Sequence, residues 1–298
     1  MSAELRRPTS IDEVKARLQY FSSDKSKQAC TTFTARPDDV FICTYSKSGT
    51  TWMQQIVHQL RSGASMDFEE ISSVVPWFEL AVDTGIDPHA DQPWEPRAFK
   101  SHLTYTEAPK GARYITVFRD PATVLPSFYN FFDGWWFEKG SITVEDFAMG
   151  LYLGGTASGQ HWDHLVDWWP LRHRDDVLAV CYEDLVANSE AVPQLVADYL
   201  ALDVSPELME RVVANSSRKV MLDHSHKFDD HVLRTARHEA WGLPPDEGFS
   251  SKVTSGSAVE IAPAVQDAMD AKWAEVVEAA LGFDSYAAFR ASITNPFD

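Results

Sequence analysis

Short apolar runs alternate with amphipathic stretches along most of this chain. Residues 41–45, 113–118 and 177–182 read as buried strands, because consecutive apolar and β-branched side chains leave no polar face. Residues 98–102 form a shorter run of the same kind. Residues 50–61 carry Trp52, Met53, Ile56, Val57 and Leu60 at the spacing of one buried helical face. Pro121 suits the first turn of a helix reaching about Phe132. Further helices are expected over 11–19, 161–169, 191–200, 205–214 and 263–281. Strands alternating with helices predict an α/β fold, a mostly parallel central sheet flanked by helices. Ligands of such sheets bind outside the carboxyl ends of the strands. The stretch from Ser46 to Thr51, together with His102, Arg119 and Tyr182, falls at or near those ends.

The rest of the chain sets bounds. Residues 1–39 read as an N-terminal extension of a single 1–298 domain, and 223–249, rich in His, Asp, Pro and Gly, as a mobile loop. The 298 residues are 44% hydrophobic and 12% aromatic, which excludes a disordered polymer. No run approaches the roughly 18 apolar residues that span a bilayer, and residues 1–7 lack the apolar core of a secretory signal. A soluble cytoplasmic protein is expected. Cys30, Cys43 and Cys181 are odd in number and show no C-x-x-C spacing, so reduced core thiols are expected rather than a disulfide or zinc site. The formal charge of −18 disfavours nucleic acid and anionic membranes as partners. It also makes any local group of cations worth inspecting.

The turn after the first strand, Thr44-Tyr45-Ser46-Lys47-Ser48-Gly49-Thr50-Thr51-Trp52, carries one lysine among hydroxyls and opens a helix. A helix start presents unpaired N–H groups and the positive end of the macrodipole, which together cradle an anion. A Walker A loop places its lysine after the last glycine, whereas Lys47 precedes Gly49. The turn therefore reads as a phosphate cradle that does not require a metal ion.

Four segments together carry a family resemblance. The turn resembles the 5′-phosphosulfate loop T-Y-P-K-S-G-T-T-W of the cytosolic-type sulfotransferases that use the donor PAPS. Phe99-Lys100-Ser101-His102-Leu103 resembles their K-T-H-L segment. The stretch from Arg119 to Ser127 resembles the 3′-phosphate segment R-N-P-x-D-x-x-x-S, and Tyr182-Glu183-Asp184-Leu185 resembles Y-E-D-[ML]. Weaker matches occur at 159–169 and at Ser216-Ser217-Arg218-Lys219-Val220-Met221. Order and spacing hold from about residue 40 to residue 221. The resemblance implies a P-loop-like sulfotransferase fold. It also implies direct in-line transfer of a sulfuryl group from PAPS to a hydroxyl, or an amine, of a small, partly apolar acceptor, with PAP released and no metal required.

Roles follow from the matched positions. Lys47 would assist the leaving oxygen, His102 would act as general base, and Lys100 would neutralise charge near the transferring group. Ser46, Lys47, Ser48, Gly49, Thr50 and Thr51 would hold the 5′-phosphate, and Trp52 would stack on adenine. Arg119 and Ser127 would take the 3′-phosphate, while Tyr182, Ser217 and Met221 would border the adenine. The aromatic clusters are either core or, as in this family, acceptor pocket. The second reading makes Trp77, Phe78, Phe131, Trp135 and Trp136 the candidate acceptor contacts. Trp168 and Trp169 read as packing, and His224, His226 and His231 as part of a solvated loop rather than a metal site.

Three departures stand out. Ser46 replaces the family's proline, and Pro126 enters the helix just before Ser127. The C-terminal R-K-G-x-x-G-D-W-K is reduced to Lys252-Val253-Thr254-Ser255-Gly256-Ser257-Ala258, leaving Lys252 and Gly256 as candidate donor contacts. No K-T-V-E-type dimer motif is visible, so the oligomeric state stays open, as does the acceptor's identity. Two other readings use the same cradle. A phosphotransferase would hold Mg²⁺ with Asp120 or Asp184. A binding module would hold PAPS or PAP without turnover.

Overall fold

The computed structural model describes residues 5–156, 159–245 and 259–298. Four parallel strands form one sheet: β1 (Val40–Cys43), β2 (Ala98–Ser101), β3 (Arg113–Phe118) and β4 (Val177–Cys181), in the spatial order β2-β1-β3-β4. Register pairs Val40 with Ala98 and Arg113, and Tyr114 with Val177. The chain runs from β1 to one neighbour, β2, and then returns to β3 on the other side of β1. That reversal opens a crevice at the carboxyl end of β1.

Alternation along the strands divides the interior in two. Phe41 and Cys43 of β1 join a large aromatic cluster on one face, while Val40 and Ile42 join an aliphatic cluster on the other. The aliphatic side is completed by Met53, Ile56, Val57 and Leu60 of the helix Thr50–Arg61, the apolar face expected from the sequence. Each such fully buried side chain contributes roughly 1.5–3 kcal/mol. At the opposite end of the sheet from the crevice, Arg97 and Asp39 form a bidentate pair at 2.7 Å, both nearly inaccessible to solvent. It joins the starts of β1 and β2.

Two stretches carry structure that the sequence pattern left out. The N-terminal extension is packed onto the body: Ile11–Leu18 and Asp24–Thr32 are helices, Val14 is fully buried, and Phe21 stacks on Trp241 at 5.6 Å. Nor is 223–245 an open loop. It holds a turn at Ser225–Phe228 and a helix at His231–Arg237, anchored by buried Phe228, Leu233, Arg234 and Trp241. The count of His, Asp and Gly there obscured these anchors. Residues 246–249 lie outside the described residues. Pro126 sits inside the helix Pro121–Phe132 without ending it. A short helix at Tyr182–Ala187, directly after β4, was not expected. Among the described residues, no helix is long and apolar enough to cross a membrane.

Candidate active site

A cavity of about 790 Å³ opens at the carboxyl ends of the strands. Four strand-end segments reach it. From the β4 side to the β2 side these are Tyr182, Arg119, the turn after β1, and Lys100 with His102.

The turn after β1 is shaped by two left-handed residues, Lys47 at φ 66° and Gly49 at φ 98°. Glycine adopts this backbone without strain, whereas a lysine is held there by its surroundings. A side chain at Gly49 would also crowd the Tyr182 ring, since a Cβ would stand 3.1 Å from Cδ2. Gly49 is the N-cap of Thr50–Arg61 and brings no capping side chain. The dipole end of this helix thus meets the cavity with Gly49, Thr50, Thr51 and Trp52 on the wall. Ser48 Oγ is buried behind the cavity wall and, among the described residues, has no hydrogen-bond partner. Thr44 and Thr50 share a hydroxyl–hydroxyl bond that fastens the strand end to the helix start. The Lys47 ammonium lies 4.4 Å from the Phe131 ring centroid, so its charge stands between the turn and the aromatic wall.

Arg119 closes this turn from β3. Its Nη1 donates to the Lys47 carbonyl at 2.6 Å, its Nε donates to Thr123 Oγ1 at 3.0 Å, and the guanidinium lies 4.2 Å from the Tyr182 ring centroid. The next residue, Asp120, caps the helix Pro121–Phe132 by accepting the Ala122 N–H at 2.8 Å. That helix carries Ser127 to the cavity wall. Trp52 donates its indole N–H to the Ser216 carbonyl at 3.0 Å, holding the 216–221 segment to the start of its own helix. Ser217 caps Arg218–Asp223, and Ser217, Arg218 and Met221 all line the cavity. Lys252 and Gly256 lie outside the described residues.

On the β2 side, His102 is buried but reaches the cavity. Its Nδ1 lies 2.7 Å from the Thr44 carbonyl. A carbonyl only accepts, so Nδ1 carries the proton and Nε2 is left as the basic nitrogen. Burial, and next the Lys100 charge, push the His102 pKa well below the usual imidazole range, which keeps the ring neutral. The His102 backbone N–H donates to Glu79 at 2.8 Å, and its ring meets Trp77 edge-on at 4.9 Å. Lys100 is buried, with its ammonium 3.7 Å from the Trp77 ring centroid and 3.9 Å from the Asp230 carboxylate.

Among the candidate acceptor contacts, Trp77, Phe131 and Trp135 line the cavity. Phe131 and Trp135 stack at 5.0 Å. Phe78 and Trp136 stand behind this wall. Phe78 packs on Phe33 and Phe41 under the sheet, and Trp136 packs on Trp241 at 4.8 Å. Trp135 and Trp136 stack on each other at 6.0 Å, yet only the first reaches the cavity, and spacing alone did not separate them.

The structure adds Leu18, Phe21, Arg218 and Asp230 to the wall. Arg218 had a signal in the sequence: a cation in the first turn of a helix opposes the dipole unless an anion offsets it. Leu18, Phe21 and Asp230 come from segments whose approach to β2 no local pattern announces. Among the described residues, no three His, Cys, Asp or Glu side chains group as metal ligands. Asp184, offered above as a metal ligand, pairs with Arg290.

Residues 37–276 match the sulfotransferase domain family. Sulfotransferase 1A1 of Rattus norvegicus is 30% identical over 203 residues, covering 64% of this chain and 69% of the relative. Sulfotransferase 1A1 of Mus musculus is 28% identical over 218 residues, covering 70% and 74%. In structure, the chain resembles mouse sulfotransferase SULT7A1 complexed with PAP, with a TM-score of 0.64 at 20% identity over 86% of this chain and 91% of that one. It also resembles retinol dehydratase in complex with androsterone and inactive cofactor PAP, with a TM-score of 0.58 at 19% identity over 87% and 84%.

Proposed function

The chain belongs to the sulfotransferase family, and on that premise we propose that its cavity takes PAPS and moves the sulfuryl group by direct in-line transfer to a hydroxyl of a small, partly apolar acceptor, releasing PAP. One observation carries this reading: the anion cradle holding Lys47 and a histidine kept neutral with Nε2 free of its proton line the same cavity. The relatives seen with PAP agree with it.

The residues fit such a donor. The left-handed turn, the side-chain-free N-cap of Thr50–Arg61 and the Ser48 hydroxyl, without a partner among the described residues, suit one phosphate. Arg119 and Ser127 supply a charged fork and a hydroxyl for a second. Gly49 and Tyr182 leave a slot that a larger residue at 49 would close. PAPS supplies a sulfuryl group on a phosphate that leaves readily as its bridging oxygen gathers charge.

The chain's own groups do the rest. His102 Nε2 takes the acceptor's hydroxyl proton as oxygen attacks sulfur, which typically contributes about 10²–10⁴ in rate. Lys47 meets the charge that develops on the leaving oxygen, an interaction stronger in the transition state than in the ground state. Trp77, Phe131 and Trp135 exclude water around the acceptor, which strengthens both interactions. The reading extends to a donor held without a metal ion. It also extends to a cytoplasmic setting without nucleic-acid or membrane partners, in keeping with the −18 charge.

The test is incubation with PAPS and a simple phenol in excess EDTA. Equal amounts of PAP and sulfated phenol are expected. Product formed only after Mg²⁺ is restored, or only from ATP, would favour a phosphotransferase instead. Tight PAP binding with no product from any acceptor would favour a binding module.

A further inference from the structure

The wall near His102 holds a charged pair, Lys100 and Asp230, whose acidic member has no part in the transfer chemistry above. Asp230 is buried, left-handed at φ 63°, and stands just before the helix His231–Arg237, in a segment that holds Trp135 of the cavity wall through Asp229 and Arg234. Its Oδ2 lies 3.9 Å from Lys100 Nζ, and its Oδ1 accepts from Ser72 Oγ at 3.4 Å. Asp230, Lys100, Trp77 and His102 all line the cavity, and nearby stand Leu18, Phe21 and Trp135, all apolar in body.

We propose that Asp230 sets the acceptor class: by balancing the Lys100 charge it makes this end of the cavity neutral and selects uncharged phenols and alcohols over anionic or cationic ones. This rests on the transfer reading above. In a pocket walled by aromatic rings, an unbalanced ammonium is poorly screened and acts over several ångströms on any charge the acceptor carries. The reach is visible at His102, where Lys100 opposes protonation and Asp230 favours it. The pair also ties the end of β2 to the segment before His231–Arg237, so an acceptor in the cavity meets both charges together.

Removing either partner should leave the other to choose. Three phenols with one nucleophile and different tails probe this: 4-methylphenol (neutral), 4-hydroxyphenylacetate (anionic) and tyramine (cationic). Wild type should favour 4-methylphenol by kcat/KM. Asp230→Asn should raise the ratio for 4-hydroxyphenylacetate over 4-methylphenol about tenfold or more. Lys100→Met should instead raise the ratio for tyramine over 4-methylphenol, whatever its absolute rate. Asp230→Glu should keep the wild-type order. A general loss of fold or chemistry lowers all three phenols alike and moves no ratio. Should Asp230→Asn fail to fold, the Lys100→Met ratio decides by itself. Ratios within about twofold of wild type in the folded variants would overturn the proposal. Wild type forming no PAP with any of the three phenols would overturn the transfer reading, and the acceptor selection with it.

Discussion

Arg119 does two jobs with one side chain. It holds the Lys47 carbonyl, which helps keep that residue in left-handed backbone, and its planar fork lies over Tyr182 beside the Ser127 wall. A charge-assisted hydrogen bond to phosphate is worth roughly 1.5–3 kcal/mol. Arg119→Ala should therefore weaken PAP binding about 10- to 100-fold by calorimetric titration. Arg119→Lys should recover little, because an ammonium cannot span two acceptors as a fork does. At this scale much of the site was legible. Ser46, Lys47, Gly49, His102, Arg119, Ser127, Tyr182 and Ser217 sit at fixed offsets from strand ends or helix caps, and all of them line one cavity. Asp230 was not legible, because a single carboxylate in a His- and Asp-rich stretch carries no period and no motif.

Among the elements, the N-terminal helices change meaning most. Phe21, just past Ile11–Leu18, packs on Trp77 at 5.4 Å and on Trp241 at 5.6 Å, and its ring also reaches the cavity. It is a contact shared by the proposed acceptor space and the segment that ends at Trp241. Phe21 is half-buried, so Phe21→Ala should cost less than the roughly 3–5 kcal/mol of a fully buried phenylalanine. It should raise the acceptor's KM while leaving PAP affinity unchanged, a split readable from steady-state kinetics beside a PAP titration. Sequence pattern found the strands and the helix Thr50–Arg61 because burial on both sheet faces imposes it locally. It missed the docking of residues 11–32 and the helix His231–Arg237. Their apolar residues, such as Val14, Phe21, Leu233 and Trp241, are spaced for contacts with distant segments rather than along one face.

Across the whole molecule, buried histidines tie stability to pH. His58 is pushed down to about 4 and His164 to about 3, while His102 and His161 lie well below the usual range, burial being the largest cause in each. A depressed folded value means the unfolded chain binds the proton first. The stability each histidine contributes is complete above its unfolded pKa near 6.5 and is lost as pH falls toward the folded value. Each can remove up to about 1.4 kcal/mol per pH unit in that window. Asp120 and Glu79, raised by burial, act in the opposite sense, gaining stability as pH falls through their raised folded values. Urea unfolding should therefore show stability falling between about pH 6.5 and pH 5, and a flat profile there would contradict the buried neutral state of these rings. That neutrality is what the proposed base role of His102 requires, so the account's central claim is tested most directly at that residue. Transfer from PAPS to 4-methylphenol should be measured for wild type and His102→Ala, with PAP affinity measured on the same samples. The account predicts unchanged PAP affinity and transfer slowed about 100-fold or more. A variant that binds PAP normally and transfers at the wild-type rate would contradict it.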